Sequence, residues 1–466
     1  MYNKTIFIFR RDHRLHDNIA LINACEHSKH VIPIFIFDPY QVKTNHKYTS
    51  NNSIQFMCES LKDLDKQLRS KGSRLHYFYG RPWQVIDKLL TKYEINCISF
   101  NRDFSKYSLY RDKKLIDVCK QHDIEHIIYD YDLTLHNHER ILKKNMYVVF
   151  SAFYKNALKY KVTKIQKNTY NNYISSRVRF KYEISKKLER FYNQNNNICI
   201  GGGRTEAFKI LRKISKHKKY NKHRDLMSCK TTQLSAYLKF GCVSIRECYH
   251  IFRTKLPRNT DLTKQLYWRS FYFLIAKHKP RNYNEFIDTR FSKLFSNIKP
   301  SKSLWLKLWT GNTGFLAIDA AIRELNTTGF MHNRGRLLVG NFSVKILRLN
   351  PFHPKWGGQI YFSKKLIDCC YANNMGNWSW VTGDKLDGAG MRFGKGISGR
   401  VFDPRKFEKW DPICSYIKTW IPQLSNISNK DLFNWDNTYM NYKVHVKPCV
   451  DFAKRKQEWI NIAKKF

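Results

Sequence analysis

TIFIF, at residues 5–9, is the first of five short apolar runs within the first 130 residues of the chain. Short runs rich in β-branched and aromatic residues are typical of buried strands. The segments between these runs place apolar side chains at helical spacing. This alternation predicts β-α-β units and therefore a doubly wound parallel sheet. The other expected strands are residues 31–37, 74–79, 96–100 and 126–129, and the expected helices are residues 53–68, 82–93 and 108–121.

Beyond the predicted sheet the pattern changes twice. Residues 131–200 are polar and weakly patterned, which indicates a connector. After three glycines at 201–203 the chain continues in long helical patterns rich in Trp, Tyr and Phe. The sequence therefore predicts an α/β domain at 1–130, a connector at 131–200 and a larger all-α domain at 201–466. The clearest helical patterns are residues 204–215, 234–240, 262–278, 315–325, 333–347 and 359–372.

The charge balance points to a polyanionic partner. The 466 residues include 84 Lys and Arg against 37 Asp and Glu, which gives a formal net charge of +47. The cations are spread along the whole chain, so a large folded surface should attract nucleic acid. A basic disordered tail is excluded, because 42% of the residues are hydrophobic and can form a packed core.

Several other classes of protein are disfavoured. The twelve cysteines are scattered without a C-x-x-C spacing, which argues against a metal site and for free thiols in a reducing compartment. No apolar run approaches the roughly 20 residues of a membrane helix, and the first run ends at Arg10, so we expect neither a signal peptide nor an anchor. No G-x-G-x-x-G follows the first strand, which argues against a Rossmann-type dinucleotide site there. We expect a monomeric protein of the cytoplasm or nucleus.

Five segments occur in one order along the chain: FRRDHRLHDN at 9–18, TTQLSAYLKFG at 231–241, QLYWRSFY at 265–272, TGFMHNRGR at 328–336 and ANNMGNWSW at 372–380. Together they resemble the cryptochrome/photolyase family, and the resemblance runs over nearly the whole chain. It implies an N-terminal α/β antenna domain and a helical domain that binds FAD and DNA. GGGRTEAF at 201–208 is similar to the family's start of that helical domain.

The resemblance assigns a set of residues to the FAD site. Residues 231–235 look like the family's phosphate-binding turn, where hydroxyls and backbone N–H groups at a helix start favour an anion. Arg336 and Asp368 look like the ion pair beside the flavin ring, and Asn374 has the spacing of the residue that faces flavin N5. Cys370 stands where the family usually has a second aspartate. The full set is Tyr220, Arg224, Thr231, Thr232, Gln233, Leu234, Ser235, Trp268, Asn333, Arg336, Asp368, Cys370 and Asn374.

The resemblance also implies a chain of tryptophans that carries an electron from the surface to the flavin. Trp378 matches its inner member, and Trp356 matches its middle member after a one-residue gap. The family's outer position falls on Leu308, with Trp309 adjacent and Trp305 one turn earlier. We therefore expect Trp309 or Trp305 to take the outer role.

A further set matches residues at the lesion pocket or on the DNA backbone. Gln265 stands where dimer photolyases have a glutamate and (6-4) enzymes have glutamine, whereas Asn333 stands where eukaryotic (6-4) enzymes have a histidine that acts as a proton donor. The glycine-rich stretch at 387–399 is either a lesion-contacting loop or a solvated surface loop. The full set is Gln265, Trp268, Arg269, Asn333, Arg334, Trp380 and Arg400.

The segment NRDFSKYSLYRD at 101–112 resembles the family's region near an antenna chromophore, which is a reduced folate or a deazaflavin. The activity implied is light-driven splitting of cyclobutane pyrimidine dimers in ultraviolet-damaged DNA. Gln265 leaves a (6-4) photolyase as the alternative. A cryptochrome-like photoreceptor without repair activity is the third reading, which Asn374 and the basic surface disfavour.

Overall fold

In a computed structural model the described residues are 1–43, 48–137, 141, 147, 149–278, 285–384 and 400–465. The N-terminal part forms a five-stranded sheet in the order β3-β2-β1-β4-β5, and every neighbouring pair is parallel. Phe7 of β1 lies opposite Pro33 of β2, and Ile6 lies opposite Ile98 of β4. The predicted parallel sheet is confirmed. The strands are β1 Tyr2–Phe9, β2 Ser28–Phe37, β3 His76–Tyr79, β4 Cys97–Asn101 and β5 Glu125–Tyr129.

The run TIFIF explains why both faces of this sheet are covered. Successive side chains of a strand point to opposite faces, and here Ile6 and Ile8 pack in one buried cluster while Phe7 and Phe9 pack in another. A parallel sheet buried on both sides is what crossover helices produce. The helices of this region are α1 Ile19–Glu26, α2 Pro39–Val42, α3 Asn51–Arg69, α4 Pro82–Lys92 and α5 Lys106–Gln121.

The polar connector is held against the sheet by its backbone. The Asn172 carbonyl accepts a hydrogen bond from the Val31 amide at 2.8 Å, and the Ile174 amide donates to the Val31 carbonyl at 2.8 Å. Further along, the Ile184 amide donates to the Tyr77 carbonyl at 2.8 Å. The connector therefore packs along β2 and β3, although its sequence carries little apolar pattern.

The rest of the described chain is helical, as expected. The long pattern at 359–372 is divided in two: one helix ends at Lys365, the next begins at Tyr371, and residues 366–370 form the turn between them. The helices are α6 Phe150–Ala157, α7 Arg204–Arg212, α8 Tyr220–His223, α9 Leu234–Phe240, α10 Ile245–Lys255, α11 Asp261–His278, α12 Thr289–Ser296, α13 Lys302–Thr310, α14 Leu316–Thr328, α15 Asn333–Asn341, α16 Gly358–Lys365, α17 Tyr371–Thr382, α18 Ser415–Trp420, α19 Asn429–Phe433, α20 Trp435–Thr438 and α21 Phe452–Lys465.

Buried ion pairs join the sheet region to the helical region. Arg246 of α10 pairs with Asp17 at 2.9 Å and with Asp132 at 3.2 Å, and Asp132 also pairs with Arg14 at 2.5 Å. All four side chains are at most 2% exposed, so these hydrogen bonds have little competition from water. Gly241, at φ +65°, lets α9 end directly against the Arg11 carbonyl, where a Cβ would come within 2.0 Å. The two regions therefore have a fixed relative position.

None of the helices in the described ranges combines the length and the apolar character that crossing a bilayer requires.

Candidate functional site

The turn at residues 366–370 is one place where the sheet region and the helical region meet. The Ile367 carbonyl accepts hydrogen bonds from Lys239 Nζ of α9 at 2.9 Å and from Ser53 Oγ of α3 at 3.0 Å. The Ile367 amide donates to the Gly329 carbonyl at 2.9 Å. Burial lowers the pKa of Lys239 to about 8. Three elements thus fix the backbone that carries Asp368.

Asp368 sits at the centre of this turn and is held on one side only. Its Oδ2 accepts hydrogen bonds from Arg336 Nη2 at 3.0 Å and from Ser235 Oγ at 2.7 Å, whereas its buried Oδ1 has no partner within the described residues. Burial would raise the pKa of Asp368, but the Arg336 charge and the hydrogen bonds outweigh it and keep the pKa below its ordinary value. A buried carboxylate with one free oxygen is a prepared acceptor for a donor on a bound molecule.

The expected phosphate-binding turn leads directly to this carboxylate. Gln233 adopts the left-handed conformation, with φ +53°, immediately before α9 begins at Leu234. Non-glycine residues rarely take this conformation, and such strain gathers at functional sites. Leu234 and Thr232 are buried, and Ser235 reaches Asp368. The structure therefore brings residues 231–235 and the Arg336–Asp368 pair together.

Tyr220 and Arg224 lie on and just after the short helix α8. The Arg224 guanidinium lies 5.9 Å from the Tyr220 ring centre and pairs with Asp261 at 2.6 Å. Arg334 pairs with Asp225, which is also 3.4 Å from Arg224. These two arginines and two aspartates form a network that links α8, α11 and α15.

Asn374 of α17 is buried and held by the preceding helix. Its Nδ2 donates to the Gln359 carbonyl at 3.1 Å and to Ser363 Oγ at 3.2 Å. Its Oδ1 accepts no hydrogen bond from the described part of the chain. The amide is therefore oriented, with its oxygen left as an acceptor for a ligand.

Cys370 faces the α/β region. Its Sγ accepts a hydrogen bond from Arg11 Nη2 at 3.2 Å, and Arg11 also pairs with Asp103 at 3.0 Å. Burial would raise the pKa of the Cys370 thiol, but the charges of Arg11 and Arg269 outweigh it and lower the pKa. The sulfur therefore serves the junction between the two regions in this structure.

Arg269 requires a correction. We expected it at the lesion pocket or on DNA, but it is only 7% exposed and donates to the Leu238 carbonyl at 2.9 Å. Its guanidinium lies 4.4 Å from the Phe273 ring centre. Successive residues of a helix point in different directions, so Arg269 is turned into the interior while the adjacent Trp268 is half-buried.

The aromatic chain has a different order from the one expected. Ring centres follow from Trp378 to Phe362 at 5.1 Å and then to Trp309 at 6.3 Å. Trp309 stacks on Tyr361 at 4.2 Å, with 15° between the ring planes. The path continues from Tyr361 to Trp305 at 6.5 Å and from Trp305 to Trp356 at 4.4 Å.

Burial agrees with this order. Trp309 is 3% exposed and lies in the interior, whereas Trp305 and Trp356 are half-buried at the outer end. In the ring contacts that start at Trp378, Trp309 therefore comes before Trp356, although we expected Trp356 in the middle place; which rings carry the electron stays a prediction. Two rings that the sequence analysis did not single out, Tyr361 and Phe362, fill the gap between Trp378 and the outer tryptophans. The sequence could have indicated these two rings, because Tyr361 and Phe362 are adjacent aromatic residues within the expected helical pattern at 359–372.

The remaining lesion candidates are partly accessible. Trp268 is half-buried and stacks on Phe150 of α6, with ring centres 3.6 Å apart. Trp380 is half-buried, and Asn333 and Arg400 are exposed. Gln265 makes one long hydrogen bond, from Nε2 to the Asp261 carbonyl at 3.4 Å. The stretch 387–399 lies outside the described residues.

His332, beside Asn333, is neutral. It is 3% exposed, and burial lowers its pKa to about 4. Its Nδ1 accepts a hydrogen bond from the Arg334 amide at 3.2 Å, so the ring proton is on Nε2. This histidine caps α15 and cannot act as an imidazolium acid near neutral pH.

A second candidate site lies at the carboxyl ends of the strands. A cavity of about 470 Å³ opens where β1, β2 and β4 end, on the side where the strand order reverses. Open α/β sheets bind ligands in this crevice. The predicted segment 101–112 contributes Asn101, Arg102, Asp103, Ser105, Lys106, Tyr107 and Arg111 to its lining.

The cavity reaches the Asp368 turn, because Ser53, Lys239, Arg11 and Tyr371 are also among its lining residues. Ser53, Lys239 and Arg11 were not predicted as site residues. Each contacts a residue more than 120 positions away in the sequence, and the chain carried no local signal for these contacts.

Comparison with known proteins supports a single family. The family model of DNA photolyase matches residues 5–169, and that of the FAD binding domain of DNA photolyase matches residues 262–465. The deoxyribodipyrimidine photo-lyase of Synechococcus is 26% identical and covers 97% of this chain and 95% of its own length. The (6-4)DNA photolyase of Arabidopsis thaliana is 28% identical and covers 91% of this chain and 80% of its own length.

A solved structure agrees with the sequence comparisons. The archaeal photolyase of Sulfolobus tokodaii, whose structure holds two FAD molecules, has a TM-score of 0.85 and 31% identity. The alignment covers 99% of this chain and all of that one. With two family models that together match well over half of the sequence, the chain belongs to the cryptochrome/photolyase family and carries its FAD-binding domain.

Proposed function

We propose that this protein is a light-driven photolyase that splits cyclobutane pyrimidine dimers in DNA. The observation that carries the proposal is the Asp368 carboxylate, which Arg336 and Ser235 hold by one oxygen while the other oxygen stays buried and unpartnered among the described residues. A fold that buries a carboxylate in this state leaves an acceptor for a ligand donor.

The residues present fit FAD. Asp368 Oδ1 offers an acceptor for a ring N–H, and Asn374 Oδ1 offers a second acceptor. The turn at 231–235 offers hydroxyls and amides to phosphate. When bound and reduced, FAD supplies a light-driven electron donor. The chain's own part is to orient the group, to exclude water and to hold the Asp368 carboxylate ionised.

DNA binding follows from charge and from the exposed candidates. A net charge of +47 supplies non-specific affinity for phosphates. A dimer must leave the base stack to reach a buried cofactor, and a damaged base is cheaper to extrude. Trp268, one face of which stacks on Phe150, and Trp380 can provide ring surfaces for the extruded bases.

The protonation state near Asn333 favours dimer splitting over (6-4) repair. Repair of a (6-4) product moves an oxygen and needs a proton donor. Asn333 has no acidic proton, and His332 is neutral, because burial lowers its pKa to about 4. Splitting a cyclobutane ring by electron transfer and return needs no such acid. Gln265 is the feature that keeps (6-4) repair as the second candidate, and the Arabidopsis relative named above is a (6-4) enzyme.

For the photoreduction route we propose Trp378, Trp309, Tyr361, Trp305 and Trp356, in the order of the ring contacts, with Phe362 packed between Trp378 and Trp309. Burial raises the pKa of Tyr361 to about 12, and its hydroxyl donates to Asn326 Oδ1. Because the Asn326 amide is not a strong base, Tyr361 keeps its proton and serves as a neutral stacking partner of Trp309.

For the cavity at the strand ends we propose an antenna chromophore with anionic groups. Six cationic side chains line it against four aspartates, which leaves a formal excess of two positive charges in the lining. A reduced folate and a deazaflavin are candidates from the sequence, and the second FAD of the Sulfolobus protein adds a flavin dinucleotide. Chromatography of the chromophore released from the purified protein distinguishes the three.

The repair assay tests the main proposal. The reduced protein is illuminated with oligonucleotides that carry either a cyclobutane dimer or a (6-4) product, and restored bases are followed by chromatography. We expect light-dependent loss of the cyclobutane dimer. Selective loss of the (6-4) product would replace our choice with the second candidate, and loss of neither lesion would exclude repair.

A further inference from the structure

Helix α15 does not end as an ordinary helix. After Asn341 it widens into a π-helical turn, Phe342–Ile346, in which the Leu347 amide donates to the Phe342 carbonyl at 3.0 Å. This five-residue hydrogen-bond step is rare in proteins and is found frequently at functional sites. No residue of this turn belongs to the flavin or lesion sets described above.

Two polar side chains at this turn hold a distant stretch of backbone. Lys345 Nζ donates to the Arg400 carbonyl at 2.8 Å, and Asn341 Oδ1 accepts from the Phe402 amide at 2.8 Å. Asn341 Nδ2 makes a longer contact of 3.4 Å with the same Arg400 carbonyl. Lys345 and Asn341 thus clamp the Arg400 carbonyl and the Phe402 amide, although these side chains are 55 or more positions away in the sequence.

The clamp is costly to bury. Asn341 is 1% exposed and Lys345 is 2% exposed. Lys345 lies beside the Trp459 ring, 5.8 Å from its centre. Burial, followed by the Arg400 charge, lowers the pKa of Lys345 to about 7. Burying an ammonium group costs free energy, and the hydrogen bond to the Arg400 carbonyl offsets part of that cost.

What the clamp presents is the Arg400 side chain. Arg400 is exposed, and its guanidinium lies over the Phe402 ring, 4.9 Å from the ring centre. The same two residues whose backbone is clamped therefore form the stacked pair. Such stacking restricts the guanidinium, so that less side-chain entropy is lost when it binds a phosphate.

We propose that Asn341 and Lys345 are positioning residues that fix the 400–402 backbone and thereby orient Arg400 toward a DNA phosphate. This inference rests on the proposed function, because it takes DNA as the ligand of Arg400. It assigns the π-helical turn to DNA binding rather than to the flavin.

The test is a double-mutant cycle on the flavin-loaded protein. Binding of labelled duplexes, with and without a cyclobutane dimer, is measured by fluorescence anisotropy over a range of salt concentrations. Arg400→Ala should weaken both duplexes by about tenfold and reduce the salt slope by about one, as for a lost phosphate contact. Lys345→Met keeps the length of the side chain and should reproduce most of this loss. The double variant should bind no more weakly than Arg400→Ala alone.

Exposed Lys430 provides the matched control, since Lys430→Met removes a cation by the same substitution. Wild-type affinity in Lys345→Met, or a double variant whose loss is the product of the two single losses, would overturn the inference. A protein that binds DNA normally but is insensitive to Arg400→Ala would also overturn it, while leaving the proposed function standing. Failure of the wild type to bind DNA would instead contradict the proposed function.

A measurement without DNA guards against a folding defect. Hydrogen exchange of the Phe402 amide reports directly on its bond to Asn341. We expect Asn341→Ala and Lys345→Met to speed exchange at Phe402 and to leave the Leu366 amide, which donates to Phe362 within the flavin region, unchanged. Equal exchange at Phe402 in all three proteins would show that no clamp exists.

Discussion

The flavin region and the aromatic chain share helices α16 and α17, but the contacts expected from the sequence agree with the structure better in the flavin region than in the aromatic chain. In the flavin region Arg336 and Asp368 meet as the resemblance implied, and Ser235 contacts the same carboxylate. In the aromatic chain Trp309 and Trp356 occupy the opposite places. Hydrogen bonds between charged groups tolerate little displacement, whereas ring contacts can be supplied by any aromatic side chain nearby. Motif spacing is thus a better guide to ion pairs than to ring order.

The largest effect expected is on the flavin side of this comparison. Asp368→Asn removes the carboxylate charge beside half-buried Arg336 and weakens the acceptor offered to FAD. Losing a hydrogen bond to a charged group costs about 1.5–3 kcal/mol, or about tenfold to a hundredfold in Kd for FAD. The ratio of flavin to protein absorbance in the purified protein measures the loss. Asp436→Asn is the control, because the Asp436 side chain is 34% exposed and its partner Arg405 keeps a second carboxylate, Asp403. Full flavin content in Asp368→Asn would contradict the assigned site.

A smaller effect is expected where the flavin region and the aromatic chain touch, at Gly358 and Trp378. A Cβ on Gly358 would lie 2.3 Å from the Trp378 ring, so Gly358→Ala must displace the inner tryptophan. Overpacking of this kind costs about 1–3 kcal/mol, which urea unfolding measures. Gly201→Ala is the matched control, since its Cβ would meet no atom closer than 3.9 Å. Equal stability of the two variants would show that Trp378 can move freely.

Acid release of FAD tests the role of Asp368 in the flavin region. The pKa of Asp368 is lower in the folded protein than its ordinary value. Its contribution is therefore complete above the ordinary carboxyl range, about 4, and is lost as pH falls through the lower folded pKa. We expect FAD fluorescence in solution to stay low from pH 8 to 5 and to rise only in stronger acid. Release centred near pH 6 would point to a different controlling group.

The smallest and most specific effect concerns ring order. Trp309→Phe should slow photoreduction of bound FAD more than Trp356→Phe, because Trp309 lies between Trp378 and the outer rings. Light-induced absorbance changes follow the reduction, and near-ultraviolet circular dichroism of the apoprotein checks the Trp309–Tyr361 stacking. A larger effect of Trp356→Phe would restore the order suggested by the sequence.

Local patterns predicted the sheet well. TIFIF alternates between two buried faces, and the parallel order follows from strands separated by helices. The resemblance supplied the pairing of Arg336 with Asp368, which are 32 residues apart. It also placed Arg269 at the lesion pocket or on DNA, whereas the structure shows it buried, with a hydrogen bond to the Leu238 carbonyl. Whether an arginine on a helix points to the interior or to the surface depends on the elements packed around the helix, which the local sequence does not show.

Contacts between the two regions were beyond the reach of the sequence. Arg11 meets Cys370 across 359 positions, and Lys239 meets Ile367 across 128. Neither contact has a local signature, because each depends on how the sheet and the helical region pack together. The same holds for the Lys345 hydrogen bond to Arg400.

The central claim is that the flavin site drives repair of cyclobutane dimers. The most direct measurement is a competition in one tube, in which the reduced protein is illuminated with equal amounts of a cyclobutane-dimer oligonucleotide and a (6-4) oligonucleotide, beside a dark control. We predict that the cyclobutane dimer disappears only in the light, while the (6-4) product remains. Preferential loss of the (6-4) product, or no loss of either lesion in the light, would contradict the claim.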